Sequence, residues 1–341
     1  MSKPLILIDP LPRTLDTIFD VSTRARLEAL GELVIHETSP MPDEIIERHL
    51  AEAEIIVGQT RLPRERLQKA KKLKAIINVE TNFTDAIDYD YCFSNGIHVL
   101  TPGSAFADVV AESALGMAID LARGITKADR DFRCAIEAYG LDGNVNSFSL
   151  LGASVGLIGY GDLARSFHRL LAPFQCEVKV YDPWVPDYVL NKAGCKPAAL
   201  SDILSHCRVI LVFAGVTSEN QGFLGRKELS MIKADAIFLL MSRAAVVDYS
   251  VFVELVRAGR FRAATDVFPV EPVAKDDPVR SVEGMLLSAH RTGGMPIALF
   301  DIGRQAVADA ELILKGLPPV VCRKALPETV RRFRSKPVDI T

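Results

Sequence analysis

Short apolar runs alternate along this chain with longer stretches whose apolar residues recur at helical spacing. Such runs are typical of strands buried on both faces of a parallel sheet, and the stretches between them are typical of the connecting helices. The runs form two series. The first comprises residues 4–9, 33–37, 54–58, 74–79 and 97–100; the second contains the segments "SVGLIG", "EVKVYD", "VILVFA", "AIFLLM", "AATDV" and "MLLSA". The pattern therefore predicts parallel sheets built from βαβ units.

Three further segments complete the predicted organisation. Residues 105–125 are amphipathic and predict a long helix that connects the two series, and residues 296–316 predict a last long helix. The stretch 128–150 is polar, contains "YGLDGNVNSFS" and predicts a loop.

Length and charge narrow the class of protein. A chain of 341 residues, 49% hydrophobic, favours two soluble domains. A net charge of −3 argues against a nucleic-acid partner. The apolar run before Asp9 is too short for a signal peptide and no run approaches a membrane span, so we expect a cytoplasmic protein.

The six cysteines show neither CxxC spacing nor a local cluster with histidine. Metal sites and disulfide frameworks depend on such spacings, so the sequence indicates no metal and no disulfides. We expect buried thiols.

A glycine-rich loop follows the first strand of the second series. The segment "GYGDLA" begins at Gly159 and fits the G-x-G-x-x-A form of the dinucleotide-binding fingerprint. Its glycines permit a tight turn and close approach to a pyrophosphate, which then lies at the helix N-terminus. The predicted cofactor-binding residues of this loop are Gly159, Tyr160, Gly161, Asp162 and Leu163.

Asp182 strengthens this interpretation. It ends the next strand, "VKVYD", about 21 residues beyond Gly161, where a carboxylate can accept hydrogen bonds from ribose hydroxyls. No Arg or Lys follows in "DPWVPD", so the segment predicts NAD rather than NADP. The alternative is a tight turn with a structural aspartate.

Three later segments place polar residues where further strands of the same series end, as open α/β sheets do with ligand-binding groups. They are "MSRAAVVD" with Arg243, "TDVFPVEP" with Asp266 and Glu271, and "SAHRTGG" with His290. Each has a structural alternative: a salt bridge for Arg243, a solvated acid for Glu271 and a core residue for His290.

Together these segments resemble the NAD-dependent D-isomer-specific 2-hydroxyacid dehydrogenases, in the order and at about the spacing of that family. The resemblance covers almost the whole chain. It implies that Arg243 binds the substrate carboxylate, Glu271 orients His290, and His290 is the general acid and base. It also implies that Asp266 contacts the nicotinamide, with Met241 and Ser242 beside it in the cofactor site.

The chemistry explains these residue types. Hydride transfer to a 2-keto acid builds negative charge on the carbonyl oxygen, which a protonated imidazole can neutralise. An ionised Glu271 on the other ring nitrogen of His290 would fix the tautomer and favour the charged ring. The Arg243 guanidinium can hold a carboxylate through two hydrogen bonds and so position the carbonyl.

The sequence departs from the family pattern at several positions. Ala244 and Ala245 replace a Gly pair, Leu240 replaces a frequent Asn, and Ala289 replaces Pro. Where most members carry a Gly-x-Gly loop for the substrate carboxylate, this chain has Thr81, Asn82 and Phe83, which are the predicted substrate-binding residues together with Arg243. We expect Asn82 to contact a substrate hydroxyl and Phe83 to fill one wall of the pocket; alternatively, Asn82 caps a helix beginning near Asp85.

The resemblance also implies the architecture: an α/β fold of two doubly wound parallel-sheet domains. Residues 1–101 plus 297–341 would form a flavodoxin-like substrate-binding domain, and residues 102–296 an inserted Rossmann NAD-binding domain. The substrate would lie in the cleft, with hinges near Pro102 and residues 294–296. The long helix after "TPGS" resembles the family's dimer arm and implies a homodimer.

Two alternative functions stay open at this level. One is an NAD(H)-sensing, corepressor-like binding protein of the same fold; the other is a dehydrogenase of a polyhydroxylated sugar acid, which Asn82 would suit. The lack of paired arginines in "VGQTRLP", with only Arg61, argues against a phosphoglycerate enzyme.

Overall fold

The computed structural model describes residues 3–80 and 82–333, and its chain divides into two compact units. One, the outer unit, comprises Met1–Phe106 and Gly294–Thr341; the other, the inserted unit, is Ala107–Gly293. The sequence predicted domain boundaries at residues 101–102 and 296–297. The α/β class with two parallel-sheet domains is confirmed.

Thirteen strands and thirteen α-helices are described within these ranges. The strands are β1 (Leu5–Asp9), β2 (Glu32–Ile35), β3 (Ala53–Gly58), β4 (Ala75–Ile77), β5 (His98–Thr101), β6 (Ser154–Ile158), β7 (Glu177–Tyr181), β8 (Lys196–Pro197), β9 (Val209–Val212), β10 (Ile237–Leu240), β11 (Arg262–Thr265), β12 (Met285–Leu287) and β13 (Arg323–Lys324). The helices are α1 (Leu15–Ile18), α2 (Val21–Leu30), α3 (Asp43–His49), α4 (Arg64–Leu67), α5 (Tyr89–Ser94), α6 (Ala107–Arg123), α7 (Ile125–Arg133), α8 (Asp162–Leu170), α9 (Asp187–Lys192), α10 (Leu200–His206), α11 (Arg226–Leu229), α12 (Tyr249–Arg257) and α13 (Pro296–Leu314).

The outer unit has the strand order β13-β5-β4-β3-β1-β2. Its five predicted strands are parallel, and the short β13 adds to β5 in the antiparallel direction. The order β2-β1-β3-β4-β5 is that of flavodoxin-like sheets. In this order β2 lies on one side of β1 and the later strands lie on the other, so the strand order reverses between β1 and β3. Such folds bind ligands at the carboxyl ends of the strands beside this reversal.

Alternate residues of these strands enter two apolar clusters, one on each face of the sheet. Ile6 and Ile8 pack with residues of α1 and α13, whereas Leu7 packs with residues of α3 and α4. Both faces are therefore covered, and only the loops at the strand ends are left for binding.

The inserted unit has a seven-stranded parallel sheet in the order β12-β11-β10-β9-β6-β7-β8. The order reverses between β6 and β9, as in the Rossmann fold. Strands β9 and β10 are buried along their whole length, which explains their unbroken apolar sequences. The Arg262 guanidinium on β11 donates to the carbonyls of Leu121, near the end of α6, and of Asn146, in the segment after α7. It thereby connects these two segments to the sheet.

The loop predicted over residues 128–150 is wrong for its first part, which belongs to α7. This helix has no buried residue, so the apolar periodicity that predicts a helix is missing. Two charged pairs four residues apart stabilise it instead, Lys127 with Asp131 and Asp129 with Arg133. Pairs at this spacing are neighbours on a helix surface.

Candidate active site

The glycine loop lies at the reversal point of the inserted sheet. Gly159 has a φ of +90°, and a Cβ there would lie 2.6 Å from the backbone nitrogen of Ala214, which follows β9. Only glycine fits this position. Gly161 is the N-cap residue of α8, and a Cβ on it would meet nothing within 4 Å. The space over Gly161 is therefore open at a helix N-terminus, as a bound pyrophosphate requires.

Asp182 closes the loop from the neighbouring strand. Its carboxylate accepts hydrogen bonds from the backbone N–H groups of Tyr160 at 2.7 Å and Trp184 at 2.8 Å. A cavity of about 380 Å³ adjoins it, lined by residues 180–183, Asp187, Leu190 and residues 197–199. The lining contains two carboxylates and no Lys or Arg.

A buried polar cluster supports the glycine loop from within. The Tyr160 hydroxyl lies 2.9 Å from Nδ1 of His168, and the Cys195 thiol lies 3.3 Å from the same nitrogen. Burial lowers the pKa of His168 and raises the pKa of Cys195, so both groups are uncharged at neutral pH. The His168 and Cys195 side chains are thus uncharged, whereas the Arg165 guanidinium lies over the Tyr160 ring, 4.8 Å from its centroid.

Met241, Ser242 and Arg243 follow β10. Met241 and Ser242 are buried, and the Ser242 hydroxyl has no hydrogen-bond partner among the residues that the structure describes. The Arg243 side chain is exposed and donates from Nη1 to the Ser242 carbonyl at 2.8 Å. A buried hydroxyl without a partner is costly, so Ser242 is suited to hydrogen-bond a cofactor.

His290 and Glu271 form a pair. Nδ1 of His290 lies 2.6 Å from one carboxylate oxygen of Glu271, and the other oxygen accepts the backbone N–H of Phe268 at 2.8 Å. About a third of each side chain is exposed. Nε2 of His290 is bonded to no group of the described chain. The pair therefore has an oriented imidazole with one nitrogen free for a ligand.

Asp266 fixes the backbone around His290. Its carbonyl accepts the N–H of His290 at 2.8 Å, and its buried carboxylate accepts from the N–H groups of Arg291 and Thr292. His290 has a φ of +50°, which few residues other than glycine adopt. Asp266 thus acts on the loop that carries His290, a role that the predicted nicotinamide contact did not include.

The predicted substrate loop follows β4 in the outer unit. Thr81 lies outside the described residues. Asn82 is half-buried, and its Oδ1 atom is buried without a hydrogen-bond partner in the described chain. The alternative that Asn82 caps a helix is wrong, because α5 begins at Tyr89 and Asp88 caps it.

Phe83 lies in the apolar core of the outer unit rather than on a pocket wall. Its ring centroid is 6.4 Å from that of Tyr89 and 6.0 Å from that of Phe333, and only 8% of the residue is exposed. The loop is therefore anchored by an aromatic cluster where most family members have glycine.

Comparison with known proteins decides the family. A family model described as D-isomer specific 2-hydroxyacid dehydrogenase, NAD binding domain, matches residues 115–292, more than half of the chain. The chain belongs to this family. The predicted family and NAD-binding Rossmann fold are therefore confirmed.

Several members of the dehydrogenase family are similar over most of this chain. A D-3-phosphoglycerate dehydrogenase of Archaeoglobus fulgidus is 27% identical over 78% of this chain and 50% of its own length. A hydroxypyruvate reductase of Blautia hydrogenotrophica is 23% identical over 87% of this chain and 94% of its own. The crystal structure of a phosphoglycerate oxidoreductase from Rhizobium etli is 40% identical, with a TM-score of 0.86 over 96% of this chain and 100% of that one. The chain spans about half the length of the phosphoglycerate dehydrogenases it matches.

The sequence did not predict one cluster at the carboxyl edge of the outer sheet. Glu80, which follows β4, has a side chain only 2% exposed, and Nε of Arg13, which follows β1, lies 2.7 Å from its carboxylate. Next to them, the side-chain amides of Gln59 and Asn78 exchange two hydrogen bonds of 3.0 and 2.8 Å. The sequence gives only a weak signal for it, a charged residue within four positions of the end of each of two buried strands.

The described ranges contain neither a candidate metal site nor a candidate membrane-spanning helix. No three His, Cys, Asp or Glu side chains there are grouped so that they could hold a metal ion. No helix there is both long and apolar enough to cross a membrane.

Proposed function

We propose that this protein transfers a hydride between NAD(H) and the C2 atom of a 2-hydroxy or 2-keto acid. The observation that carries the proposal is the 2.6 Å contact between His290 and Glu271, which orients the ring and leaves Nε2 free. A pair of this kind is suited to move a proton to and from an oxygen that gains and loses charge.

The residues of the inserted unit have distinct roles in this proposal. His290 gives its Nε2 proton to the carbonyl oxygen during reduction and takes it back during oxidation. Glu271 stabilises the protonated ring through Nδ1 and holds its orientation. Arg243 binds the substrate carboxylate through its guanidinium. Asp266 positions His290 by bonding to the backbone of residues 290–292. Any effect of Asp266 on the nicotinamide would be transmitted through this loop.

The cofactor site fits NAD. NAD(H), when bound, supplies or accepts the hydride. The open space over Gly161 would hold the pyrophosphate, with Tyr160, Asp162 and Leu163 around it, and Asp182 would accept hydrogen bonds from the ribose hydroxyls. Since the adjoining cavity has two carboxylates and no cation, we propose a preference for NAD over NADP.

The outer unit carries the proposed substrate site. It would bind the substrate at the carboxyl ends of β1, β3 and β4, where the family's carboxylate-binding loop follows β4. The unpartnered Oδ1 atom of Asn82 is a buried acceptor that a substrate hydroxyl would satisfy. A hydroxylated 2-keto acid therefore fits better than pyruvate.

The test is steady turnover. Purified protein with NADH is offered glyoxylate, pyruvate, hydroxypyruvate and longer hydroxylated 2-keto acids, and loss of NADH absorbance is recorded. We expect sustained turnover with at least one hydroxylated acid and a lower kcat/KM with NADPH. Tight NADH binding without turnover of any acid would instead support the NAD(H)-sensing alternative.

A homodimer in the cytoplasm completes the proposal. The segment that begins with α7 exposes large apolar side chains in the single chain, a feature typical of an interface. They are Ile125, Phe132, Ile136, Tyr139, Leu141 and Val145. All six cysteines are free thiols, as in a reducing compartment.

Sedimentation tests the dimer. We expect a mass near twice 37.3 kDa for the wild type and the monomer mass for Leu141→Asp. Val21→Asp, at an exposed apolar residue of the outer unit, is the matched control and should sediment as the wild type does. A monomeric wild type would contradict the dimer.

A further inference from the structure

The Arg13–Glu80 ion pair at the carboxyl edge of the outer sheet is partly buried, with Glu80 2% and Arg13 28% exposed. Burying two charges costs desolvation energy that their attraction often fails to repay, so such a pair is weak evidence of a stabilising role. It lies beside the reversal point between β1 and β3, where flavodoxin-like sheets bind ligands. Its position therefore points to recognition of a ligand.

The pair is arranged to present both a donor and an acceptor. Nε of Arg13 lies 2.7 Å from Oε1 of Glu80 in an ion pair. The Arg13 side chain is 28% exposed, and its guanidinium carries further N–H donors besides Nε. Two residues after Glu80, the Asn82 Oδ1 atom is a buried acceptor to which no described residue donates.

The charges decide which ligand fits. Glu80 neutralises Arg13. An anion at this edge would be attracted by the guanidinium and repelled by the carboxylate at similar distances, so the two electrostatic energies would nearly cancel. A hydroxyl group can accept from a guanidinium or donate to an amide oxygen, and it has no charge for Glu80 to repel. The cluster thus matches a neutral, hydroxylated chain.

We infer that Glu80, paired with Arg13, is a specificity-determining residue that favours 2-hydroxy acids with an uncharged hydroxyl-bearing chain and disfavours those with a distal phosphate or carboxylate. This inference rests on the proposed function. It predicts a substrate preference different from the one named for the relatives called D-3-phosphoglycerate dehydrogenase.

The experiment uses matched acids that differ only in a phosphate: D-glycerate against D-3-phosphoglycerate, and D-erythronate against 4-phospho-D-erythronate. Formation of NADH from NAD gives kcat/KM for each, and the ratio of the neutral to the phosphorylated acid is compared between variants. Differences of size between the two acids cancel in this comparison. The wild type should prefer the neutral acid of the pair it oxidises best.

Glu80→Gln keeps the shape and removes one charge, which leaves Arg13 uncompensated. We expect the ratio to fall about tenfold, since one charge within about 10 Å of a phosphate has an effect of this order. Arg13→Gln should move the ratio in the opposite direction, and the double variant should return it close to the wild-type value. Because the two single variants should change the ratio in opposite directions, either variant alone, if it folds, tests the predicted direction of change.

Glu54→Gln is the control, because Glu54 is also ion-paired in the outer unit, with Lys74, but lies at the start of β3. It should leave the ratio unchanged. An unchanged ratio in Glu80→Gln, a wild type that prefers the phosphorylated acid, or oxidation of none of the four acids would overturn the inference. A failure of the proposed function is distinct, since then no acid of the wider panel is turned over.

Discussion

The carboxyl edges of the two sheets differ in how they are built. In the inserted unit, the glycine loop and Asp182 come from neighbouring strands, and the bond between the Tyr160 amide and Asp182 spans 22 residues of sequence. In the outer unit, Arg13 and Glu80 come from the loops after β1 and β4, which are not adjacent in the sheet. The proposed cofactor site thus depends largely on backbone geometry at two neighbouring strands, and the proposed substrate site on side chains that only folding brings together.

The same difference appears in what each edge leaves unsatisfied. At the inserted edge, Asp182 and Asp266 have backbone partners, and Ser242 is left as a buried hydroxyl. At the outer edge, the Asn82 Oδ1 atom is left as a buried acceptor without a partner in the described chain, and Arg13 is paired with Glu80. Variants at the two edges should therefore separate chemistry and cofactor binding from substrate choice.

The largest effect is expected at His290. His290→Gln removes the proton donor but keeps a polar side chain, so kcat should fall by about 10² to 10⁴ while NADH binding, measured by fluorescence, stays within about twofold. His206→Gln is the control, because His206 also pairs with an acid, Asp202, at 2.9 Å on the surface. Full turnover in His290→Gln would place the proton donor elsewhere.

Alanine variants at Gly159 and Gly161 should distinguish an effect on folding stability from an effect on cofactor binding. Gly159→Ala places a Cβ 2.6 Å from the Ala214 nitrogen at a φ of +90°, so the free energy of unfolding should fall by about 2 kcal/mol or more. Gly161→Ala meets open space, so the melting temperature should stay near the wild-type value while NADH binds several times more weakly. Equal NADH affinity in Gly161→Ala and the wild type would show that the pyrophosphate does not lie there.

Asp182 tests cofactor choice. Asp182→Asn removes the charge that opposes a ribose phosphate, so the preference for NADH over NADPH, as a ratio of kcat/KM, should fall by about tenfold. Asp235→Asn alters an exposed acid of the same unit, near Arg208, and should leave the ratio unchanged. A wild type that prefers NADPH would contradict the assignment outright.

Asn82 gives the smallest expected effect and belongs to the outer edge. Because its Oδ1 atom has no partner in the described chain, Asn82→Ala should leave the melting temperature nearly unchanged. It should lower kcat/KM for a hydroxylated 2-keto acid about fivefold to tenfold relative to pyruvate. Asn95→Ala, which removes a bond to the Tyr91 carbonyl at the end of α5, should lower stability and leave this ratio alone. Equal losses with both acids would remove Asn82 from substrate recognition.

Much of the architecture could be predicted from the sequence. The two series of buried strands follow from unbroken apolar runs, because a strand covered on both faces has no polar position. The cofactor loop and its aspartate also follow, since G-x-G-x-x-A and an acid one strand later act through local backbone geometry. The helix α7 was missed because surface ion pairs, rather than an apolar face, support it.

By itself, the sequence determined that the protein has two parallel sheets, which family it belongs to, and which types of residue form the candidate site. Only the tertiary structure decided that Phe83 lies in an aromatic core, that Asp266 bonds to the loop of His290, and that Glu80, which the sequence did not predict as a site residue, lies against Arg13. The physical reason is the range of the interactions. Strand burial and glycine turns depend on neighbours along the chain, whereas an ion pair between two loops exists only once the strands beneath them are ordered in the sheet.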